Sequence, residues 1–215
     1  MKRPLRWWLA LLDVSALPLL TMWVIWREPP QISHVWMVIP VWLAASFLIH
    51  RDTAKTLGWR ADNFLPTLKR GTFVLGPMAL AFVVIGLAMG MKAPPLEALA
   101  PKHYWNYFAF CLLQQVGLNS LLTNRLIALV DRRAVAVLIA ALIFAAFHWP
   151  NPVLVPATLV AGLAMSWLFA RERNILPITI WHVILGMTLN WAFPIAWHHS
   201  MRVGPGYYTF HLPGS

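Results

Sequence analysis

Acidic residues are scarce in this chain. It has seven among 215 residues, and charged residues of both signs make up 11%. A soluble globular protein carries about 25%. A soluble domain of this length would need far more polar surface than the sequence offers, which excludes that class. Only Asp13 of the seven acids lies inside an apolar run, so a hard-metal site has too few oxygen ligands. A single cysteine, Cys111, sits in an apolar stretch, where one thiol cannot form an intramolecular disulfide and reads as a packing residue. The eight histidines include no His-xxx-His pair and no His-Glu-xx-His motif, and no third ligand for a catalytic zinc is identifiable. No metal or other cofactor is expected. Internal repeats and low-complexity linkers are also missing, so residues 1–215 read as one domain.

What the chain does have is hydrocarbon. It is 60% hydrophobic, and the apolar residues fall into seven segments: Trp7–Trp26, Ile32–His50, Thr72–Met91, Tyr104–Val130, Ala134–Trp149, Val153–Ala170 and Ile175–Phe193. Spanning hydrocarbon takes about 20 helical residues, and lipid tolerates no unsatisfied backbone. The fold class is therefore all-α, a polytopic transmembrane helix bundle of about seven spans. The basic start Met1-Lys2-Arg3 resembles a signal peptide, but its apolar run continues to Trp26 without a small-residue cleavage site and reads as a retained first span.

The net charge of +10 would suggest nucleic acid in a soluble protein. Here the basic residues cluster in short loops, where they act as topology signals and headgroup contacts. No nucleic-acid partner is expected; the lipid bilayer is. The N-terminal tail, the Arg51–Arg70 loop, Arg125 with Arg132 and Arg133, and Arg171 with Arg173 hold 13 of the 17 lysines and arginines. The opposite side holds Arg27, Lys92, Lys102 and Arg202. That asymmetry puts the N-terminus in the cytoplasm and the C-terminus outside, in the cytoplasmic (plasma) membrane. Gly86-xxx-Gly90 and the series Thr158, Gly162, Ser166, Ala170 supply small residues for close helix packing. Arg125, near the cytoplasmic end, is expected to snorkel.

Polar groups at membrane depth are functional-site candidates by default. Three places carry them. Gln114 and Gln115 are adjacent in the fourth segment, with Asn119 one turn beyond Gln115; neighbouring residues point about 100° apart, so one partner helix cannot satisfy both. Phe144-xxx-His148 runs into Trp149-Pro150-Asn151-Pro152, whose prolines end the helix directly after the histidine. In the seventh segment His182, Gly186 and Asn190 step by four. One shared site requires the short fifth segment to end within the membrane, with its Pro-Asn-Pro turn against a cavity.

The order of these elements resembles the CPBP family, which includes the CAAX-processing prenyl endopeptidases and the Abi and lysostaphin-resistance-like proteins. That pattern is a Glu-Glu-xxx-Arg motif on one helix, Phe-xxx-His on the next, and a later His followed at plus four by Asn or Asp. Gln114-Gln115 falls at the first motif, Phe144 and His148 at the second, His182 at the third, giving a CPBP-like core of about 104–193. The departures are glutamine for both glutamates, Asn119 at the arginine position and Gly186 at the asparagine position. A Gln-Gln pair with a His-x-Pro-Asn-Pro turn resembles a branch of the family.

The resemblance implies intramembrane peptide-bond hydrolysis on a membrane-associated peptide or protein. A carboxamide cannot accept a proton at any useful pH, so Gln114 holds water without activating it. The base then falls to His148 and oxyanion stabilisation to His182, with Gln115, Asn119, Asn151 and Asn190 in support. The reading leans towards an enzyme. The alternatives are a catalytically inactive relative that binds membrane peptides or scaffolds a partner, and a small membrane transporter. The sequence leaves the oligomeric state open.

Overall fold

The computed structural model describes residues 4–27, 33–92 and 101–212. Helices carry nearly all of it, and no strand occurs among the described residues. The first segment is α1 (Leu5–Trp26). A 3₁₀ turn, Ser33–Met37, leads into α2 (Val38–His50). After the one-turn α3 (Ala54–Leu57) comes α4 (Phe64–Ala88). The fourth apolar segment is a continuous helical run built from α5 (Pro101–Gln115), a π-helical stretch (Val116–Thr123) and α6 (Asn124–Leu129). Next are α7 (Arg133–Ala146), α8 (Leu154–Glu172) and α9 (Ile175–Ala192). The chain closes with short turns, α10 (Ile195–His198) and α11 (Pro205–Tyr208).

α1, α4, α8 and α9 are long and apolar enough to cross a membrane; the stretches His34–His50 and Arg133–Ala146 are apolar but shorter. The protein is a multi-pass membrane protein. Large side chains such as Phe73, Leu80, Leu48 and Trp105 are exposed on its flanks, as expected where the solvent is lipid.

Small residues set the packing. α7 lies along α8, where a Cβ added to Gly162 would stand 3.3 Å from the Ala141 Cα. α4 lies along α9: Gly71 sits beneath Trp181, and Gly86 beneath Trp191. Van der Waals contact between close backbones is the force available where lipid removes the usual hydrophobic drive. Gly90 departs from the sequence expectation. It has φ +70° and no neighbour within 4 Å of a would-be Cβ, so it turns the chain after α4 and packs nothing.

Two more expectations are corrected. The third apolar helix starts at Phe64, not Thr72, so the end of the Arg51–Arg70 stretch is helix rather than loop. It is anchored there by an Arg70–Glu172 ion pair to the end of α8. Arg125 does not snorkel. It is 6% exposed and donates from Nε to Asp13 Oδ2 (3.0 Å), and from Nη2 to Asp52 Oδ2 (2.5 Å) and Ser46 Oγ (3.2 Å). His50 Nε2 lies 3.1 Å from the same Asp13 oxygen. Asp13, the acid inside a span, explains this. A carboxylate there needs a cation, and Arg125 supplies it by staying in.

The basic end of the bundle is tied together by polar contacts. Ser120 Oγ donates to Leu57 O, Arg173 to Asn124 Oδ1, Asn63 Nδ2 to Glu172 O, and Ile175 N to Gly58 O. At the opposite end, residues 193–212 fold back over the helices as a strap. Gly204 N donates to Trp149 O at 2.9 Å, and a Cβ on Gly204 would meet Ile25 of α1. His199, Ser200 and Met201 all have positive φ (48°, 54° and 61°), a left-handed run that L-residues adopt only when packing enforces it.

Candidate active site

The helices surround a cavity of about 210 Å³, and Gln114, His148 and His182 all line it. Most of its wall is apolar and drawn from every long helix: Leu17 and Ile25 of α1, Phe82 of α4, Phe144 of α7, Leu185 of α9. α7 makes the meeting possible. Its 14 residues extend only about 21 Å at 1.5 Å per residue, so Phe147 and His148 end against the cavity instead of at the far surface. Met201 and Val203 of the strap cover it from the end opposite the basic loops.

His148 is held by its own helix. Its Nδ1 lies 2.7 Å from Phe144 O. A carbonyl only accepts, so Nδ1 carries the proton and Nε2 carries the lone pair. Nε2 makes no hydrogen bond among the described residues. The Phe144 ring wedges between the two imidazoles, edge-on to His148 at 4.8 Å and to His182 at 5.8 Å between centroids.

Behind His182 stands Gln115. Its Nε2 lies 2.9 Å from His182 Nδ1 and 3.2 Å from Met165 Sδ. Gln115 Oε1 accepts from Asn119 Nδ2 at 2.6 Å, and Asn119 Oδ1 accepts from Thr123 Oγ1 at 3.2 Å. Gln115, Asn119 and Thr123 are fully buried. The adjacent glutamines thus have different surroundings, as their 100° offset requires: Gln115 points behind a histidine, while Gln114 faces the cavity with a buried Oε1 that has no partner. The π-helical stretch begins directly after them; such wide turns concentrate at functional sites.

The two remaining candidates stand apart from the cavity wall. Asn151 has every polar position occupied. Its Nδ2 donates to His198 O (2.8 Å) and Arg202 O (3.0 Å), while its Oδ1 accepts from Val153 N (3.1 Å) and Leu154 N (3.0 Å). It starts α8 and fastens the strap. Asn190 is exposed near the end of α9.

Sequence reasoning passed over Tyr107. It lines the cavity one turn before Cys111, and a Cβ on Gly186 would coincide with its hydroxyl. Tyr107, Cys111 and Gln114 are spaced i, i+4, i+7, the signature of one helix face. That spacing could have identified it.

A family model described as type II CAAX prenyl endopeptidase Rce1-like matches residues 102–188. Across this stretch, about two fifths of the chain, the protein is similar to that family. The matched stretch of this CAAX-protease-like membrane protein contains Gln114, Gln115, Asn119, His148 and His182 and stops short of Asn190. α1, α2, α4 and the strap lie outside it, yet each contributes to the cavity wall. No curated protein and no solved structure matches the chain.

Proposed function

We propose that the cavity hydrolyses a peptide bond of a membrane-associated peptide or protein. The observation that carries this reading is the fixed tautomer of His148: its proton is committed to Phe144 O, which leaves Nε2 as a proton acceptor on the cavity wall. The Gln114 carboxamide, with Oε1 unpartnered, holds a water. His148 Nε2 takes a proton from that water as its oxygen bonds to the scissile carbonyl carbon. His182 stabilises the oxyanion. The proton on His148 then passes to the leaving amine as the C–N bond breaks.

In the same reading the N-terminus is cytoplasmic and the C-terminus external, with seven crossings of the plasma membrane. The basic groups joined at one end of the bundle, Arg60, Arg70, Arg125 and Arg173, support that orientation. Substrate then meets the cavity beneath the external strap.

The test is purified protein in lipid with a library of membrane peptides, wild type beside His148→Ala. Loss of a general base costs about 10²–10⁴-fold, so cleavage should fall to background. Cleavage that is absent, or equal in the two proteins, overturns the proposal. A second reading is favoured by the mainly apolar wall and by amides at 114 and 115 that cannot ionise. It is a peptide-binding relative without turnover, recognised by saturable peptide binding that survives His148→Ala with no product.

A further inference from the structure

We infer that Gln115 is a positioning residue that holds the proton of His182 on Nε2, through a chain of hydrogen bonds running Thr123, Asn119, Gln115, His182. The inference rests on the proposed hydrolysis only for its catalytic consequence; the proton position stands on geometry alone.

The direction of the chain is decided by what surrounds Gln115. Its side-chain nitrogen is shared between His182 Nδ1 at 2.9 Å and Met165 Sδ at 3.2 Å. A thioether only accepts, and an amide oxygen turned against it would gain no hydrogen bond there. The nitrogen therefore faces His182 and Met165, and the oxygen faces Asn119 Nδ2 at 2.6 Å. Asn119 in turn presents its oxygen to Thr123 Oγ1, which also reaches Leu118 O at 2.9 Å. These three side chains are fully buried, so no solvent competes for their hydrogen bonds. An N–H donor to His182 Nδ1 requires a lone pair on that nitrogen, and the neutral ring must carry its proton on Nε2.

The consequence is a division of labour. His148 offers a lone pair from Nε2 because Phe144 O claims its Nδ1 proton. His182 offers an N–H because Gln115 donates to its Nδ1. A glutamate at 115 would accept where the amide donates. It would draw the proton to Nδ1 and leave the ring's lone pair on Nε2, so that both histidines would offer an acceptor and neither a donor. Glutamine at this position thus makes His182 a donor, and its sense is independent of pH because a carboxamide does not ionise. The register that delivers it is three residues spaced by four, Gln115, Asn119 and Thr123, running from just before the π-helical stretch to its last residue.

The test is nitrogen-15 NMR of histidine-labelled protein in lipid nanodiscs at neutral pH, which reads the protonation of each ring nitrogen. The His182 signals are identified by their loss in His182→Gln. Wild type should show His182 protonated on Nε2 and bare on Nδ1, and His148 the reverse. Gln115→Glu should invert His182 and leave His148 unchanged. A wild-type His182 protonated on Nδ1 overturns the inference whatever Gln115→Glu does, so a variant that fails to fold does not protect it. An unchanged His182 in a folded Gln115→Glu protein also overturns it. Peptide cleavage is scored separately. Its absence in wild type refutes the hydrolytic reading and leaves the proton position standing.

Discussion

At Gln114 a carboxamide occupies the place where water activation would favour a carboxylate. Its Oε1 is buried and unpartnered on the cavity wall, so it can orient a water but cannot take its proton. If the cavity hydrolyses peptides as proposed, a carboxylate at 114 should raise the rate. Gln114→Glu is expected to increase the cleavage rate of the membrane-peptide library by about 10²–10⁴-fold, the usual contribution of a positioned base. An unchanged rate in a folded variant would separate Gln114 from the reacting water. Arg125 makes a different kind of prediction. It pairs with both Asp13 and Asp52, and removing one partner of a buried ion pair costs about 3–5 kcal/mol. Arg125→Met should lower the thermal unfolding midpoint sharply in detergent, while Asp13→Asn combined with Arg125→Met should recover part of the loss. At this scale the sequence disclosed which polar groups to suspect but not their partners. Gln114, His148 and His182 were legible as misplaced polarity in hydrocarbon. That Asp13 would keep Arg125 inside was not, because 112 residues separate the pair along the chain. Asn151 was expected in a supporting role at the oxyanion; its four hydrogen bonds go to the strap and to the start of α8.

Helices were the most legible feature. Hydropathy alone located each apolar segment, with ends that mostly fall within a few residues of the observed ones, because lipid leaves helix as the one way to satisfy the backbone. The third was placed late because a helix can run on past the membrane surface once Arg70 and Glu172 pair. The π-helical stretch has no hydropathy signature and was invisible. Packing glycines were recognised by spacing, but spacing could not separate Gly86, which is covered by Trp191, from Gly90, which touches nothing. A matched pair within α4 tests the packing argument. A Cβ at Gly71 would lie 2.6 Å from Trp181 Cδ1, while one at Gly76 would meet nothing closer than 3.7 Å. Gly71→Ala should destabilise by about 1–3 kcal/mol through overpacking against α9. Gly76→Ala should cost less, under about 1 kcal/mol, because only the ring of the following Pro77 crowds the added methyl. Chemical denaturation in mixed micelles compares the two.

The strap is an element of another kind, and it responds to acid. His198 is buried, and burial pushes its imidazole below the ordinary value of 6.5. In the neutral ring Nε2 donates to Phe193 O at 3.0 Å and Nδ1 accepts from Met201 N at 3.2 Å. With a depressed pKa in the folded state, the unfolded strap takes up its proton first as pH falls. Stability from this residue is complete above about pH 6.5 and is lost progressively below it. Hydrogen exchange, corrected for intrinsic rate, should show a constant protection factor for the Met201 amide above pH 6.5 and a falling one below. Protection that is flat through pH 5 would mean that His198 does not fasten the strap.

On the scale of the whole molecule, the site and the charges occupy opposite ends. Basic side chains and the α3 contacts gather at one end, and the strap covers part of the cavity at the other. If the basic end is cytoplasmic, as loop charge argues, then substrates must approach from the external leaflet, and the strap is what they displace. The argument depends on sidedness, which two single-cysteine proteins in a Cys111→Ala background can measure. Lys55 and Arg202 are both exposed and stand at opposite ends of the bundle. In intact cells a membrane-impermeant maleimide should label Arg202→Cys and spare Lys55→Cys until the membrane is permeabilised. The reverse pattern would turn the molecule over and give the cavity to cytoplasmic substrates, while leaving the geometry of Gln114, His148 and His182 untouched. Labelling of both from one side would mean an even number of crossings between α3 and the strap, and the short α7 and the π-interrupted run that precedes it would then be the first segments to re-examine as incomplete spans.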